Sequence, residues 1–369
     1  MSRWVAHVDM DAFFVGVERL HRPELRGKAV IVATGTDPRA RGVVMAASYE
    51  ARRFGVHSAL PLSVAHRRCP HAMLVQRDMT RYRDASRRVM EMLDRYSDRV
   101  EVAGLDEAYL DLSDTPFPKS CCRRVKHEIG VETGLTCSVG LAPNKLLAKI
   151  ASDLDKPDGF RVLTAEQMLD AVGARPATLI PGVGPKTAER LAAMGIATVA
   201  QLALAPSDAL ARAFGPRLGE ALQARANGRD DREVEVEREP KSESRETTFA
   251  QDIVDPVVLR TTLARLVDDL CSGLAASGYR GRTIRLKIRL RPFRTFTRSR
   301  TIDQPTCAPA VIGSVAEELL DSFEVDAPVR LLGVGLESLQ HAGAAHGRAG
   351  IGTERPSAGP GALRLEVDC

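Results

Sequence analysis

Residues 279–300, YRGRTIRLKIRLRPFRTFTRSR, carry the pattern that most restricts the fold, because apolar and cationic residues alternate in them. The apolar positions are Ile284, Leu286, Ile288 and Leu290, and the cationic positions are Arg285, Lys287, Arg289 and Arg291. Successive side chains of a β-strand point to opposite faces, so this period predicts a strand with one apolar and one cationic face. A surface strand can carry such charge without any partner. A stripe of one sign on a rigid sheet is nevertheless more typical of a surface that follows a phosphate backbone.

Length and composition predict a globular intracellular protein of several domains. A chain of 369 residues exceeds one ordinary core and favours about two to four domains. The formal net charge is only +4, so any affinity for nucleic acid must come from clustered charge. The seven cysteines form no CxxC pair and are odd in number, which favours a reducing compartment. Acidic residues from Asp9 onward leave no room for a signal peptide, and no apolar run approaches the ~18 residues of a membrane span. We therefore expect a cytoplasmic protein without a membrane segment.

The chain divides by pattern into an α+β region, a helical region and a smaller α/β region. Strands alternate with covering helices to about residue 165, and residues 166–228 are predicted to be wholly helical. Residues 229–246, RDDREVEVEREPKSESRE, are charge-dense and weakly hydrophobic, which predicts a linker. An α/β unit follows to about residue 340, and the Gly-, Ala- and Pro-rich residues 341–369 predict a disordered tail.

Two acidic clusters fall at predicted strand ends. His7, Asp9 and Asp11 share one face of the strand WVAHVDMD, and Asp106 and Glu107 lie at the tip of a hairpin predicted in VEVAGLDEAYLDL. Carboxylates that end strands of one sheet are able to bind a pair of Mg²⁺ ions ~4 Å apart, which activate a 3′-hydroxyl and neutralise a leaving pyrophosphate. Acidic residues also decorate strand ends without function, and Asp11 alone is equally well explained as the N-cap of the next helix.

The order of the motifs resembles a known family. HVDMDAFF, SYEARRFGV, LDEAYLDL, CSVGLAPNKLLAKIASDLDKPDG and IPGVGPKTAERL follow one another as in Y-family DNA polymerases, the translesion class, and most closely their bacterial DNA polymerase IV (DinB) branch. The resemblance covers roughly residues 3–340. It implies a multidomain α+β right-hand polymerase with palm, small fingers, an all-helical thumb that contains a helix-hairpin-helix, and an α/β little finger. The implied bounds are 1–11 and 76–165 for the palm, 12–75 for the fingers, 166–228 for the thumb and 247–340 for the little finger.

The resemblance assigns roles to the acidic clusters and the two phenylalanines. It implies that Asp9, Asp106 and Glu107 are catalytic and, with the backbone carbonyl of Met10, bind two Mg²⁺ ions, for which Mn²⁺ is a substitute. Phe14 occupies the position of the steric gate beneath the sugar of the incoming nucleotide, where a ring excludes a 2′-hydroxyl. Phe13 is adjacent to the nucleotide site, and core packing is the preferred explanation for its ring.

The residues implied to bind the triphosphate are Tyr49, Arg52 and Lys156. Tyr49 and Arg52 are at positions i and i+3 of a short predicted helix, so both side chains face one way. Lys156 lies in the turn DKPDG, where an exposed lysine without function would also be ordinary. The chain has Ala46 where family members carry Ser or Thr, which removes a hydroxyl beside the triphosphate.

Two regions are predicted to bind DNA without reading its sequence. Residues 179–203, LIPGVGPKTAERLAAMGIATVAQLA, predict an apolar helix, a glycine turn and a second helix that begins at Pro185. Gly182, Gly184 and Lys186 of that turn are expected to contact phosphate through backbone amides and charge. The cationic strand face described above corresponds to the little finger of the family.

The resulting hypothesis is a low-fidelity, template-directed DNA polymerase without proofreading that adds dNTPs to a primer. Its expected partners are primer-template DNA and dNTPs, and it is expected to be a monomer associated with the nucleoid. SLQHAG and ALRLEVDC match a clamp-binding peptide poorly, so the sequence leaves binding to the sliding clamp open. The sequence disfavours two alternatives: a catalytically inactive DinB-like accessory protein of a damage-response complex, and another palm-based nucleotidyl transferase such as a cyclase. The first predicts loss of the acidic residues, and the second would need neither the helix-hairpin-helix nor the cationic strand.

Overall fold

The computed structural model describes residues 3–237 and 239–341, which form two compact units divided at residues 237 and 238. The predicted disordered tail lies outside the described residues except for His341. Within the described ranges, none of the helices combines the length and apolar character that a transmembrane span requires.

The first unit contains eight strands and eleven α-helices among its described residues. The strands are β1 Val5–Met10, β2 Val30–Ala33, β3 Val44–Ala47, β4 Met73–Gln76, β5 Val100–Val102, β6 Glu107–Asp111, β7 Cys137–Ala142 and β8 Phe160–Val162. The helices are α1 Phe13–His21, α2 Tyr49–Arg52, α3 Leu62–Arg68, α4 Met79–Leu93, α5 Pro118–Thr133, α6 Lys145–Leu154, α7 Met168–Val172, α8 Pro185–Ala193, α9 Val199–Leu204, α10 Ser207–Phe214 and α11 Pro216–Ala226.

A five-stranded mixed sheet forms the predicted palm, with strand order β5-β6-β1-β7-β8. The central strand β1 is antiparallel to β6 and β7, and β8 runs parallel to β7. Ala6, Val8 and Met10 pack into a core that includes side chains of α4 and α5. His7 and Asp9 point to the other face, where α6 and the turn after it supply their partners. The hairpin predicted near Gly104 is confirmed, since β5 and β6 pair antiparallel.

The predicted fingers contain a small sheet of order β3-β2-β4 with its own apolar cluster, to which α3 contributes Leu62 and Ala65. Residues 166–228 are helical, as predicted, and α7 to α11 share a core with α6. The helix predicted before the glycine turn is wrong in one respect, because it is only a single 3-10 turn at Ala177–Leu179. The segment from Pro176 to Gly184 holds two prolines and two glycines, which restrict any longer helix.

The second unit is a four-stranded antiparallel sheet covered by two helices on one face. Its elements are β9 Ser242–Ile253, α12 Pro256–Ala276, β10 Tyr279–Leu290, β11 Arg294–Thr306, α13 Pro309–Asp321, β12 Val329–Glu337 and the short β13 Gln340–His341. The main sheet has the order β11-β10-β12-β9. The predicted two-faced strand is confirmed, because Ile284, Leu286, Ile288 and Leu290 are all buried under the helices.

The linker predicted at 229–246 is shorter in the structure, because β9 already begins at Ser242. The first part of this segment belongs to the first unit and packs against the rest of it. Residues 228–235 are here called the strap. The amide of Leu146 donates to Asp230 Oδ2 at 3.0 Å, and Val234 is buried. The charge of Asp230 therefore has a partner at the start of α6, which composition alone does not reveal.

Candidate active site

The two predicted acidic clusters lie side by side because β1 and β6 are hydrogen-bonded neighbours. Asp9 is paired in register with Glu107, and the amide of Met10 donates to the carbonyl of Asp106 at 2.8 Å. His7, Asp9 and Glu107 each offer one ligand atom, and these atoms lie within 4.8 Å of one another. The sheet register thus brings together an imidazole and two acidic side chains from positions about 100 residues apart in the sequence.

The carboxylate of Glu107 contacts two basic side chains, His7 and Lys149. His7 Nε2 lies 3.2 Å from Glu107 Oε2, and Lys149 Nζ of α6 donates to the same carboxylate. The polar contact with His7 and the charge of Lys149 lower the pKa of Glu107 to about 2 despite its burial. Burial lowers the pKa of His7, whose Nδ1 lies 2.8 Å from Ser152 Oγ. Glu107 is therefore ionised and fixed in orientation at neutral pH.

Asp9 and Asp106 have the opposite electrostatic situation. Burial raises the pKa of both carboxyls, and the nearby charge of Glu107 raises that of Asp106 further. Lys156 Nζ lies 2.8 Å from Asp9 Oδ1 and 2.7 Å from Asp153 Oδ1. Partly buried carboxylates that repel one another, with oxygen as the main donor atom, fit a hard divalent cation such as Mg²⁺.

The nucleotide-site residues of the prediction line one cavity of about 210 Å³ beside these carboxylates. Its lining residues are Asp9, Met10, Ala12, Phe13, Phe14, Met45, Ala46, Tyr49, Arg52, Ser58, Asp106 and Lys156. Phe13 is buried in the core, as preferred from the sequence. The ring of Phe14 stacks on Tyr82 with centroids 4.3 Å apart and an interplanar angle of 12°. Tyr82 thus fixes one wall of the cavity.

Tyr49 and Arg52 share one side of the short helix α2. The helix is N-capped by Ser48, whose hydroxyl accepts from the amide of Ala51. The guanidinium of Arg52 lies 4.8 Å from the centroid of the Tyr49 ring, and its Nε donates to the carbonyl of Ala47 at 3.0 Å. Burial and the charge of Asp11 raise the pKa of Tyr49 to about 12, so its hydroxyl stays protonated and able to donate.

Asp11 does not cap the following helix, which corrects the simpler explanation considered from the sequence. The N-cap of α1 is Ala12, in a left-handed conformation and without a side-chain hydrogen bond. The carboxylate of Asp11 instead accepts hydrogen bonds from Tyr49, Ser138 and the amide of Asp158. The three donors come from separate parts of the chain, so helix-capping statistics could not reveal them.

The residues predicted to contact DNA lie outside this cavity. Gly182, Gly184 and Lys186 are exposed at the start of α8, and Gly182 has a φ of 96°, a conformation that favours glycine. Gly184 is the N-cap of α8 and Pro185 is its first residue, as predicted. Gly182 and Gly184 therefore lie exposed next to a helix N-terminus, while the amide of Val183 between them donates to the carbonyl of Ile180 at 2.9 Å.

The cationic face of β10 is partly neutralised by neighbouring strands. Arg285 pairs with Glu337 of β12 at 2.7 Å, and Lys287 pairs with Glu246 of β9 at 3.1 Å. Arg289 Nε donates to Thr295 Oγ1 at 2.7 Å, and Arg291 is exposed just after the strand. The segment itself contains no acid, but sheet pairing brings acids beside it.

Sequence reasoning missed several residues that hold the site together. Lys149 and Ser152 are three positions apart on α6, so their common helical face was a usable signal. Ser138 is the partner of Asp9 across the β1–β7 pair, which no local pattern indicates. Ser58, from the loop after α2, adds a hydroxyl to the cavity that contains Ala46.

Comparisons with known proteins agree with this architecture. Residues 8–153 match the impB/mucB/samB family, residues 240–348 match the C-terminal domain of that family, and residues 178–230 match the DNA polymerase-iota thumb domain. A DNA polymerase IV of Methanoculleus marisnigri is 45% identical over 92% of this chain and 95% of its own length. A DNA polymerase IV of Streptomyces coelicolor is 46% identical over 91% of this chain and 71% of its own length.

A solved Y-family DNA polymerase chimera of Dbh and Dpo4 has the same fold. Its TM-score is 0.81 at 28% identity, and the match covers 90% of this chain and 98% of the chimera. Fold, helix-hairpin-helix and carboxylate-lined cavity together define a template-directed DNA polymerase with a right-hand architecture. The chain belongs to the Y family of DNA polymerases, in its DNA polymerase IV (DinB) branch. The enzyme is thus a nucleotidyltransferase of the translesion class, and the catalytically inactive alternative is not supported.

Proposed function

We propose that Asp9, Asp106 and Glu107, with the backbone carbonyl of Met10, form the centre at which dNTPs are added to a primer 3′-hydroxyl. The observation that carries this proposal is the register pairing of Asp9 with Glu107 beside a cavity that also contains Asp106 and Lys156. Two Mg²⁺ ions, or Mn²⁺ in their place, would promote ionisation of the 3′-hydroxyl and neutralise the leaving pyrophosphate. The protein's own part is to hold the carboxylates at fixed distances. Lys149 and His7 do this for Glu107.

We propose that two cationic side chains and a tyrosine bind the triphosphate of the incoming nucleotide, and that a phenylalanine ring contacts its sugar. Arg52 and Lys156 supply positive charge for the triphosphate, and the protonated hydroxyl of Tyr49 donates a hydrogen bond to it. Lys156 must then exchange its contact with Asp9 for one with the phosphates. Phe14, supported by Tyr82, lies against the sugar and leaves no volume for a 2′-hydroxyl.

Binding of primer-template DNA is proposed to use two separate surfaces. The exposed glycine turn before α8 would bind a phosphate through backbone amides. The cationic face of β10 would follow the phosphate backbone through Arg289, Arg291 and the partly paired Arg285 and Lys287. Neither surface reads bases, which suits an enzyme that acts at many sequences on chromosomal DNA. We propose that the enzyme acts as a monomer in the cytoplasm, at the nucleoid.

Primer extension on an undamaged template with Mg²⁺ and four dNTPs tests the proposed centre. Wild type should extend the primer, and Asp106→Ala should lower the rate by at least about a hundredfold, since an essential carboxylate is lost. Glu91→Ala, which removes an exposed carboxylate from α4, is the matched control and should extend normally. If Asp106→Ala binds primer-template and still extends it at the wild-type rate, the proposed centre is wrong.

A further inference from the structure

Asp11 has an environment that nothing in the proposed chemistry requires. Its side chain is 7% exposed and makes three hydrogen bonds as an acceptor. Oδ1 accepts from Ser138 Oγ at 2.8 Å and from the hydroxyl of Tyr49 at 3.3 Å, and Oδ2 accepts from the amide of Asp158 at 2.8 Å. A buried carboxylate is costly unless it is well hydrogen-bonded, so these donors define where it can sit.

Two of the three donors belong to the segments that present the proposed triphosphate-binding groups. Tyr49 is itself one of those groups. Asp158 lies two residues after Lys156 in the turn that follows α6, and Asp11 holds that turn by its backbone. The hydroxyl of Ser138 donates to Asp11 and also accepts from the amide of Gly159 at 3.2 Å, so it fastens the same turn a second time.

The backbone of this turn needs such support. Asp158 has a φ of 55°, in the left-handed region that non-glycine residues rarely adopt, although Asp tolerates it better than most. The two hydrogen bonds to the amides of Asp158 and Gly159 oppose relaxation of the turn. The position of the Lys156 ammonium relative to Asp9 therefore depends on the carboxylate of Asp11, although Asp11 does not line the cavity.

We infer that Asp11 is a positioning residue that sets Tyr49 and the Lys156 turn at the spacing required by the triphosphate of an incoming nucleotide. It acts through these two groups and touches neither the nucleotide nor the reacting atoms. This inference rests on the proposed nucleotide-binding roles of Tyr49 and Lys156. Asp11 thus couples the fingers, through Tyr49, to the palm turn that carries Lys156.

The test variant is Asp11→Asn, because an amide keeps the shape but places an NH₂ group against one of the donors. The expected result is a rise of about tenfold in the KM for dNTP, with kcat at saturating dNTP changed much less. Primer-template affinity should stay near the wild-type value, and Tm is measured in parallel so that a general loss of stability is recognised. Calorimetric titration with inorganic tripolyphosphate should show a comparable loss of affinity, and this readout does not depend on turnover.

Asp111→Asn is the matched control. Asp111 lies at the other end of β6, its side chain is 12% exposed, and it accepts from the amide and the hydroxyl of Ser113. This variant also removes a largely buried and hydrogen-bonded carboxylate, which in addition pairs with Arg99 at 3.3 Å and does not line the cavity, so it should leave the KM for dNTP unchanged. A KM increase in both variants would mean that general weakening of the sheet explains the effect, and the inference would be overturned.

A second variant and a double mutant make the test independent of folding. If Asp11→Asn does not fold, Ser138→Ala replaces it and should raise the KM for dNTP by several-fold. In a Lys156→Ala background, the Asp11→Asn change should have a clearly smaller effect on KM than in wild type, because one of its two targets is gone. Additive effects, or an unchanged KM and tripolyphosphate affinity, would contradict the inference. If the wild-type enzyme did not extend primers, that result would contradict the proposed function and not only the role of Asp11.

Discussion

Phe14 provides the sharpest prediction about a single residue. Its ring forms a wall of the cavity and is stacked on Tyr82, so it cannot easily rotate away. Phe14→Ala should raise ribonucleotide insertion relative to deoxyribonucleotide insertion by at least about tenfold, because space for a 2′-hydroxyl appears. The measurement is kcat/KM for rNTP and dNTP on the same template.

Phe13 supplies the control for that experiment. It is 3% exposed and belongs to the core, so Phe13→Leu should lower the free energy of unfolding by about 1 kcal/mol while sugar discrimination stays constant. An unchanged preference in Phe14→Ala would remove the steric-gate assignment.

The sheet of the second unit is the element on which DNA affinity can be tuned. Glu246→Gln should free Lys287 from its ion pair, raise primer-template affinity and steepen the dependence of log affinity on log salt by up to ~0.9. Arg289→Ala should have the opposite effect, to a similar extent on every DNA sequence. Filter binding or fluorescence anisotropy at several salt concentrations measures both.

Asp321→Asn tests whether the effect of Glu246→Gln comes from where the negative charge is removed or only from the change in net charge. Asp321 pairs with Arg260 between the two helices that cover the other face, so its loss adds the same net charge elsewhere. If Asp321→Asn raises DNA affinity as much as Glu246→Gln does, the open face of the sheet is not the DNA-binding surface.

The strap gives a pH-dependent prediction. Burial alone would raise the pKa of Asp230, but the hydrogen bond and charge of Arg232 and the amides of Arg232 and Leu146 hold it below its ordinary value. Ionised Asp230 therefore stabilises the fold above pH ~4, and this stabilisation is lost as the pH falls through the lower folded-state pKa. Asp230→Asn should cost about 1–2 kcal/mol at pH 7 and progressively less below pH ~4. Urea denaturation at several pH values measures this, and a pH-independent difference would contradict it.

The sequence predicted those features of the strands and helices that depend on residues only a few positions apart. The strand that carries Asp9, the hairpin that carries Asp106 and Glu107, and the two faces of β10 follow from alternation and turn residues over a few positions. The partners of those residues do not. Lys149 reaches Glu107 from a helix, Glu246 reaches Lys287 from another strand, and Asp11 meets the turn after α6, so each depends on packing and register. The contact between Asp230 and the start of α6 is hidden from composition for the same reason, because the charges of residues 229–246 resemble those of a solvated segment.

At the scale of the whole molecule, the described residues form two units that each possess a core. The buried cluster of the second unit comes from α12, β10, α13 and β12, and partly buried side chains of β9 and β11 pack against it. Calorimetry should therefore resolve two unfolding transitions. Leu286→Ala should destabilise the second unit by about 2–5 kcal/mol and shift its transition only, while Asp230→Asn shifts only the other. A single transition that moves with both variants would show that the units unfold together.

The central strand β1 presents Asp9 on one face and Ala6, Val8 and Met10 to the core on the other. The position of the catalytic carboxylates therefore depends directly on how the protein core packs against the same strand. A geneticist in search of heat-sensitive alleles should look behind the carboxylates, at Ala6 and Val8. Strains with such alleles would tolerate DNA damage at low temperature and lose that tolerance on warming, although every residue that meets the substrate is intact.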